Sequence, residues 1–375
     1  EKVKKVENFI MSPDGTRMLI QTESKKIYRR SFSATYYIYT IDNRKLERLS
    51  DNGPQQSPVW SPDGLKVAFV RDNNIYLIKL LYGNSESRVT KDGKRNSVIN
   101  GVPDWVYEEE FAFNNALTFN ADGSMLCWIR FDETKVPSYS LQTYKGLEPE
   151  NKEYAEYPGF YTYKYPKAGA VNSSVSVLSF DIQARQTRKM DLPLDADGYI
   201  PRIKMTSNPN TIIVYTMNRH QDKLRLYSAN PRSTVCKLLI DESVPSYVKE
   251  EAMEKIMVTD NHILVPSDRS GYMQLYLYTQ TGQLLRKLTN TNYEVTDVYG
   301  YDERTGNVYY QAAGKNPMNR EVYVTYKNGK TECLSGNEGW NSAVFSTNYK
   351  YFVNIWSDSN TPFVYSTYDN DGKKL

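Results

Sequence analysis

Three consecutive carboxylates, Glu108, Glu109 and Glu110, stand among the aromatics Trp105, Tyr107 and Phe111, and a Gly101-Val102-Pro103 turn leads into them. Pro103 followed by Asp104 reads as a helix start, because an aspartate there accepts from the free N–H groups of a first turn. The acids then lie near the positive end of a short helix, where the dipole favours negative charge. Neighbours on a helix are ~100° apart, so Glu109 and Glu110 can converge on one small target while Trp105 and Phe111 anchor the segment. Packed carboxylates repel and want a cation between them. An ammonium group, with three donors, suits that need. A solvated acidic face would carry the same charge but has no use for flanking aromatics.

Other chemistry finds little support. A serine hydrolase needs a nucleophile, a base and an orienting acid, and no Gly-x-Ser-x-Gly elbow occurs in residues 1–375. Gly83-Asn84-Ser85-Glu86-Ser87 comes nearest, but its last position is serine and its context is a polar turn. His262 adjoins an Ile-Leu-Val run and His220 follows Arg219, neither in a triad context. Two histidines and no Cys-x-x-Cys leave no zinc pattern, so no metal and no cofactor are expected. Cys127, Cys236 and Cys333 form no disulfide framework and are expected as free, mostly buried thiols. The net charge of +3 is interspersed, which does not mark a nucleic-acid partner. No apolar run approaches the roughly 20 residues of a membrane-spanning helix.

The elements that must position the acids show themselves through a repeat. Ser12-Pro13-Asp14-Gly15 recurs as Ser61-Pro62-Asp63-Gly64 and, degraded, as Asn120-Ala121-Asp122-Gly123. Proline fixes φ and glycine accepts positive φ, which is turn chemistry. Each copy precedes a short apolar strand such as Val67-Ala68-Phe69-Val70, then an alternating strand rich in tyrosine, a polar turn and a last strand. Tyrosine, 32 of 375 residues, is the compositional outlier and fits half-buried sheet surfaces. The tyrosine-bearing strand recurs near Tyr39, Tyr76, Leu178, Tyr227, Tyr276, Tyr323 and Tyr365. Four strands per 40–50 residues predict an all-β fold, a β-propeller of about seven four-stranded blades over 1–375. The longer gap from Tyr76 to Leu178 carries two insertions, the acidic helix (101–113) and an extended arm from about Tyr139 to Tyr165. That helix, at 104–111, is the only notable one expected.

Asp104 to Phe111 resembles the double-glutamate segment of the dipeptidyl peptidase IV family, serine exopeptidases of the prolyl oligopeptidase clan. Tyr28-Arg29-Arg30-Ser31-Phe32, Phe131-Asp132-Glu133-Thr134-Lys135-Val136-Pro137 and Tyr165-Pro166-Lys167-Ala168-Gly169-Ala170-Val171-Asn172 agree with it in order and spacing. The resemblance implies the propeller domain of a bacterial-type member. Glu109 and Glu110 would bind the α-amino group of a peptide with a free N-terminus, and Arg29, placed at the end of a strand, would hydrogen-bond a substrate carbonyl oxygen. Glu108, Trp105 and Tyr107 would support them. The family's aromatic ledge from a later blade has no counterpart pattern in residues 247–260.

The same resemblance implies eight blades in the parent, most of the first lying upstream of Glu1. It also implies an α/β-hydrolase domain after Leu375 that carries the Ser-Asp-His triad, so this chain alone would be inactive. The parent would release Xaa-Pro or Xaa-Ala dipeptides, form a homodimer through the arm, and be exported, its signal peptide lying outside this chain. Mammalian members carry a second cysteine three residues beyond the position of Cys333, where this chain has Gly336. The rival reading is a non-enzymatic propeller serving as a protein-interaction module.

Overall fold

Each Ser-Pro-Asp-Gly turn closes in the same way: the glycine N–H donates to the carbonyl three residues back, at 2.9 Å in Ser12–Gly15, Ser61–Gly64 and Asn120–Gly123 alike. The three glycines have φ of +69°, +66° and +65°, which side chains with a Cβ resist. The turns therefore start antiparallel meanders, and the computed structural model, which describes residues 3, 5–144 and 157–375, consists mostly of them.

The first sheet is β1 (Asn8–Met11), β2 (Arg17–Lys26), β3 (Phe32–Thr40) and β4 (Lys45–Arg48) in sequence order. The second is β5 (Gln56–Trp60), β6 (Lys66–Arg71), β7 (Asn74–Lys79) and β8 (Ser85–Arg88). The third has five strands: β9 (Val98–Asn100), β10 (Leu117–Phe119), β11 (Met125–Asp132), β14 (Ser174–Asp181) and β15 (Gln186–Lys189). A two-stranded ribbon, β12 (Ser138–Thr143) with β13 (Gly159–Lys164), interrupts it. The fourth sheet comprises β16 (Tyr199–Met205), β17 (Ile212–Met217), β18 (Lys223–Ala229) and β19 (Cys236–Ser243). Then come β20 (Met257–Val258), β21 (His262–Ser267), β22 (Gln274–Thr279) and β23 (Leu284–Lys287). The sixth sheet is β24 (Val295–Asp302), β25 (Asn307–Ala312), β26 (Glu321–Thr325) and β27 (Thr331–Cys333). The last has three strands, β28 (Trp340–Phe345), β29 (Tyr351–Ser357) and β30 (Val364–Asp369).

Seven blade-like sheets are thus present among the described residues, and every tyrosine-strand marker, from Tyr39 on β3 to Tyr365 on β30, lies on the third strand of its sheet. This is the all-β, four-stranded-blade class of a β-propeller. The chain divides into two compact units, residues 1–220 with 224–238, and residues 221–223 with 239–375.

Within each unit the core lies between neighbouring sheets. Leu19, Tyr36 and Ile38 of the first sheet pack on Val67, Phe69 and Ile78 of the second. Tyr309, Val322 and Val324 of the sixth pack on Ala343, Phe352 and Tyr368 of the seventh. A strand covered on both faces loses its alternation, which is why Val67, Ala68, Phe69 and Val70 form an unbroken apolar run, each fully buried.

Three expectations need correction. A second helix, α2 (Glu250–Glu254), accompanies α1 (Trp105–Glu110); it is only five residues long and no side chain caps its start, so it left no readable signal. The thiols are free, but only Cys127 is buried, Cys236 being half-buried and Cys333 exposed, because the latter two sit on the outermost strands β19 and β27. Burial raises the Cys127 thiol and lifts Cys236 to about 11. Arg29 lies beyond the strand end: β2 stops at Lys26, and Ile27 N–H donates to Ser31 O at 2.9 Å to close a loop. The arm is the β12–β13 ribbon, and its tip, residues 145–156, lies outside the described residues.

The acidic helix arises from a broken strand. β9 and β10 both pair with the same edge of β11, end to end, at Arg130–Asp132 and at Leu126–Trp128. The segment between them is pinched at its neck, where Gly101 N–H donates to Ile129 O (3.2 Å) and Ala116 N–H to Gly101 O (2.9 Å). Gly101 has φ +79°, and a Cβ there would come within 3.0 Å of Leu117 and Val70. Gly101→Ala is therefore expected to cost about 1–3 kcal/mol in stability. A thermal melt of the variant matching wild type would contradict this account of the neck.

Candidate functional site

The helix that leaves this neck is capped as its sequence suggests, with the Asp104 side chain accepting from Tyr107 N–H at 2.9 Å. Asp104 itself is buried and also receives the Ser173 hydroxyl; burial raises its carboxyl above the ordinary aspartate value. Tyr107 is the anchor. It is fully buried, its ring lies 4.8 Å from Phe131 and 5.2 Å from Phe111, and its hydroxyl accepts from Ile200 N–H at 3.3 Å. Burial holds that phenol protonated, far above its usual range. Trp105 plays a different part, its ring lying tilted 4.3 Å from Tyr165 and edge-on 5.9 Å from Tyr163, which ties the helix to the base of the arm.

With Tyr107 facing the core, the three acids fan out to different environments. Glu108 turns inward and is 1% exposed. One of its oxygens, Oε1, accepts from Arg30 N–H (2.6 Å) and Ser31 N–H (2.7 Å). Glu109 meets Arg29: Nε lies 2.8 and 3.0 Å from its two oxygens and a terminal nitrogen lies 2.7 Å from Oε1. The fork-on-carboxylate geometry gives direction as well as charge. Its hydrogen bonds, then its charge, hold the Glu109 carboxyl below the usual glutamate value. Glu110 is exposed, and among the described residues no hydrogen bond or ion pair engages it.

The two adjacent arginines separate by role. The Arg29 side chain is 67% exposed and reaches Glu109, whereas Arg30 folds back and donates to the Glu108 carbonyl at 3.3 Å. The structure thus places Arg29, Glu108, Glu109 and Glu110 on two facing segments about 80 residues apart in sequence. A charged fork, one engaged carboxylate and one open carboxylate form a surface suited to an ammonium group beside a polar carbonyl.

A family model described as the dipeptidyl peptidase IV (DPP IV) N-terminal region matches residues 12–363. The chain belongs to the DPP IV N-terminal region family. The Aspergillus flavus protein named probable dipeptidyl peptidase 4 is 29% identical over 379 residues, covering 96% of this chain and 48% of that protein. The probable dipeptidyl-aminopeptidase B of Emericella nidulans is 32% identical over 338 residues, 83% of this chain and 37% of that one. Among solved structures, Porphyromonas gingivalis dipeptidyl peptidase 4 superposes with a TM-score of 0.94 at 40% identity, over 99% of this chain and 52% of that chain. This DPP IV-family chain therefore spans about half the length of the curated relatives it matches.

The sequence alone did not reveal several residues that shape this cluster. Asn114 donates to Arg30 O at 3.0 Å, and Ser57 donates to Asn114 O at 2.7 Å. Ser173 reaches the helix cap from the far side of the arm. Glu133, 5% exposed, is a buried carboxyl that burial, and then the charge of Asp104, push up to about 7. In sequence it stands between Asp132 and Thr134, polar neighbours that give no sign of its burial. His262 Nδ1 is 2.9 Å from Glu303 Oε1, within the second unit. Gly83–Ser87 is a left-handed turn running into edge strand β8, not a strand-to-helix elbow.

Proposed function

We propose that this chain is the substrate-gating, N-terminus-reading propeller of a serine dipeptidyl peptidase that releases Xaa-Pro or Xaa-Ala dipeptides. The observation that carries the reading is the Arg29–Glu109 fork beside the open carboxylate of Glu110. A peptide's α-ammonium meets the two carboxylates, and the guanidinium offers its remaining donors to the first peptide carbonyl. Such a site measures from a free amine inward, so cleavage falls a set distance from the terminus. The nucleophile, base and acid belong to an α/β-hydrolase domain of the same polypeptide. Peptides with a free N-terminus, that hydrolase domain and a second copy at the arm are the partners in this reading; exposed Tyr139, Leu141 and Phe160 on the ribbon support the last. The site needs no metal or cofactor for this work, and the parent is an exported enzyme.

The test compares the full-length protein with residues 1–375 alone on a Gly-Pro chromogenic amide and its N-acetylated form. The full-length protein is expected to cleave the free-amine substrate and reject the acetylated one, and residues 1–375 to cleave neither. Equal turnover of both substrates by the full-length protein would overturn the reading.

A further inference from the structure

The first residue of the acidic run has a geometry that suits neither substrate binding nor solvent. Glu108 is 1% exposed, and its Oε1 is already engaged by two consecutive backbone N–H groups, those of Arg30 and Ser31 at 2.6 and 2.7 Å. Its Oε2 is buried and has no hydrogen-bond partner among the described residues. We infer that Glu108 is a positioning residue that sets Arg29 in place through the backbone of the 27–31 loop, a role that rests on the reading of Arg29 and Glu109 proposed above.

The argument is one of what the loop could otherwise do. Arg29 sits on a bend outside the sheet, its side chain largely in solvent, and the sheet register ends at the Lys26–Phe32 pair. A loop so placed would ordinarily sample several conformations. Here three polar groups of the backbone that follows Arg29 are engaged: Arg30 N–H and Ser31 N–H by Glu108, and Arg30 C=O by Asn114 Nδ2 at 3.0 Å. Both holding side chains come from the segment that carries Glu109, so the fork and its carboxylate move as one body. The orphaned Oε2 makes this hold stiff. If the loop swung away, Oε1 would lose both donors and a buried carboxylate would be left with none, a state far less favourable than an unmade bond at the surface. Substrate therefore meets an arginine already aimed, and the ordering cost is met in folding.

The experiment is a double-mutant cycle in the full-length enzyme, with Glu108→Met, Arg29→Met and the pair, assayed on a free-amine Gly-Pro amide. Loss of a placed group at a distance from the chemistry costs on the order of 10- to 100-fold, so Glu108→Met is expected to lower kcat/KM by that much. In the Arg29→Met background the same change should cost no more than about 3-fold, since its target is gone. Glu108→Gln, which keeps an acceptor, should recover most of the activity and slow the exchange of backbone amides in residues 27–32 relative to Glu108→Met. Equal penalties in both backgrounds would overturn the role of Glu108 alone. An Arg29→Met enzyme with unchanged kcat/KM would overturn the underlying reading of the site as well. Should Glu108→Met fail to fold, Glu108→Gln takes its place in the cycle: a few-fold loss in kcat/KM that disappears in the Arg29→Met background supports the proposal, and a loss equal in both backgrounds, no loss in either included, overturns it.

Discussion

Glu110→Gln in the full-length enzyme is expected to lower kcat/KM for free-amine dipeptidyl amides by about 10- to 100-fold, and Glu109→Gln by a similar factor. A hydrogen bond from an ammonium to a carboxylate contributes about 1.5–3 kcal/mol, and each 1.4 kcal/mol is tenfold. The two losses differ in kind. Glu110 has no competing partner among the described residues, so its removal subtracts one ligand from the substrate amine. Glu109 also orients Arg29, so its removal releases the guanidinium at the same time. Against an acetylated substrate, poor for wild type, neither variant should fall much further. A double glutamine variant that still prefers free amines as strongly as wild type would place the amine site elsewhere.

The pH profile carries a sign that can be worked out. Arg29 lowers the pKa of Glu109, so the ionised carboxylate persists further into acid than an ordinary glutamate. Arg29→Met removes that effect, and the acid limb of kcat/KM is expected to move to higher pH. The alkaline limb belongs to the substrate amine, near pKa ~8 when free, and should stay where it is. An acid limb unmoved by Arg29→Met would show that Glu109 does not set it.

Glu133→Gln is expected to make the protein more stable at pH 8 and flatten its stability between pH 4 and pH 8. Burial first, and the nearby charge of Asp104 second, raise the Glu133 carboxyl to about 7, with Lys164 and Arg95 offsetting only part of this. A carboxyl raised above its unfolded value holds its proton in the fold. Its stabilising contribution is therefore complete in acid and is lost as pH rises through about 7. At 1.36 kcal/mol per pKa unit the swing is on the order of 3 kcal/mol, and the neutral amide does not undergo it. Asp104, also raised by burial, adds in the same direction and is relieved of a like charge in the variant. Melting temperatures of both proteins at pH 4 and pH 8 test this; identical pH slopes would contradict it.

Much of the fold was legible because it is local and repeated. The Ser-Pro-Asp-Gly turns need only four residues to specify themselves, and the tyrosine strands announce their half-buried faces through period-2 alternation. The capped start of α1 was equally local, since Asp104 acts on an N–H three residues away. What escaped was whatever depends on partners distant in sequence. Nothing in Glu108-Glu109-Glu110 says which acid faces the core; Tyr107 and the loop at Arg30–Ser31 decide that together. Arg29 was singled out over Arg30 by resemblance and not by pattern, because the bend that sends one to Glu109 and the other to the Glu108 carbonyl lies outside the strand pattern. The thiols were expected to be mostly buried, but the place of Cys333 on the outermost strand of its sheet left it exposed.

Residue types and spacing alone determined a four-stranded-blade propeller, an acid-rich capped helix between β9 and β10, an arm before β14, and a basic segment at Tyr28–Phe32. Each rests on interactions reaching no more than a few residues along the chain. Only the tertiary structure decided that one glutamate is buried, the next the partner of Arg29, and the third exposed to solvent. That division depends on burial and on donors supplied from about 80 positions away, and a carboxylate's role is set by which donors reach it and how much water is left around it.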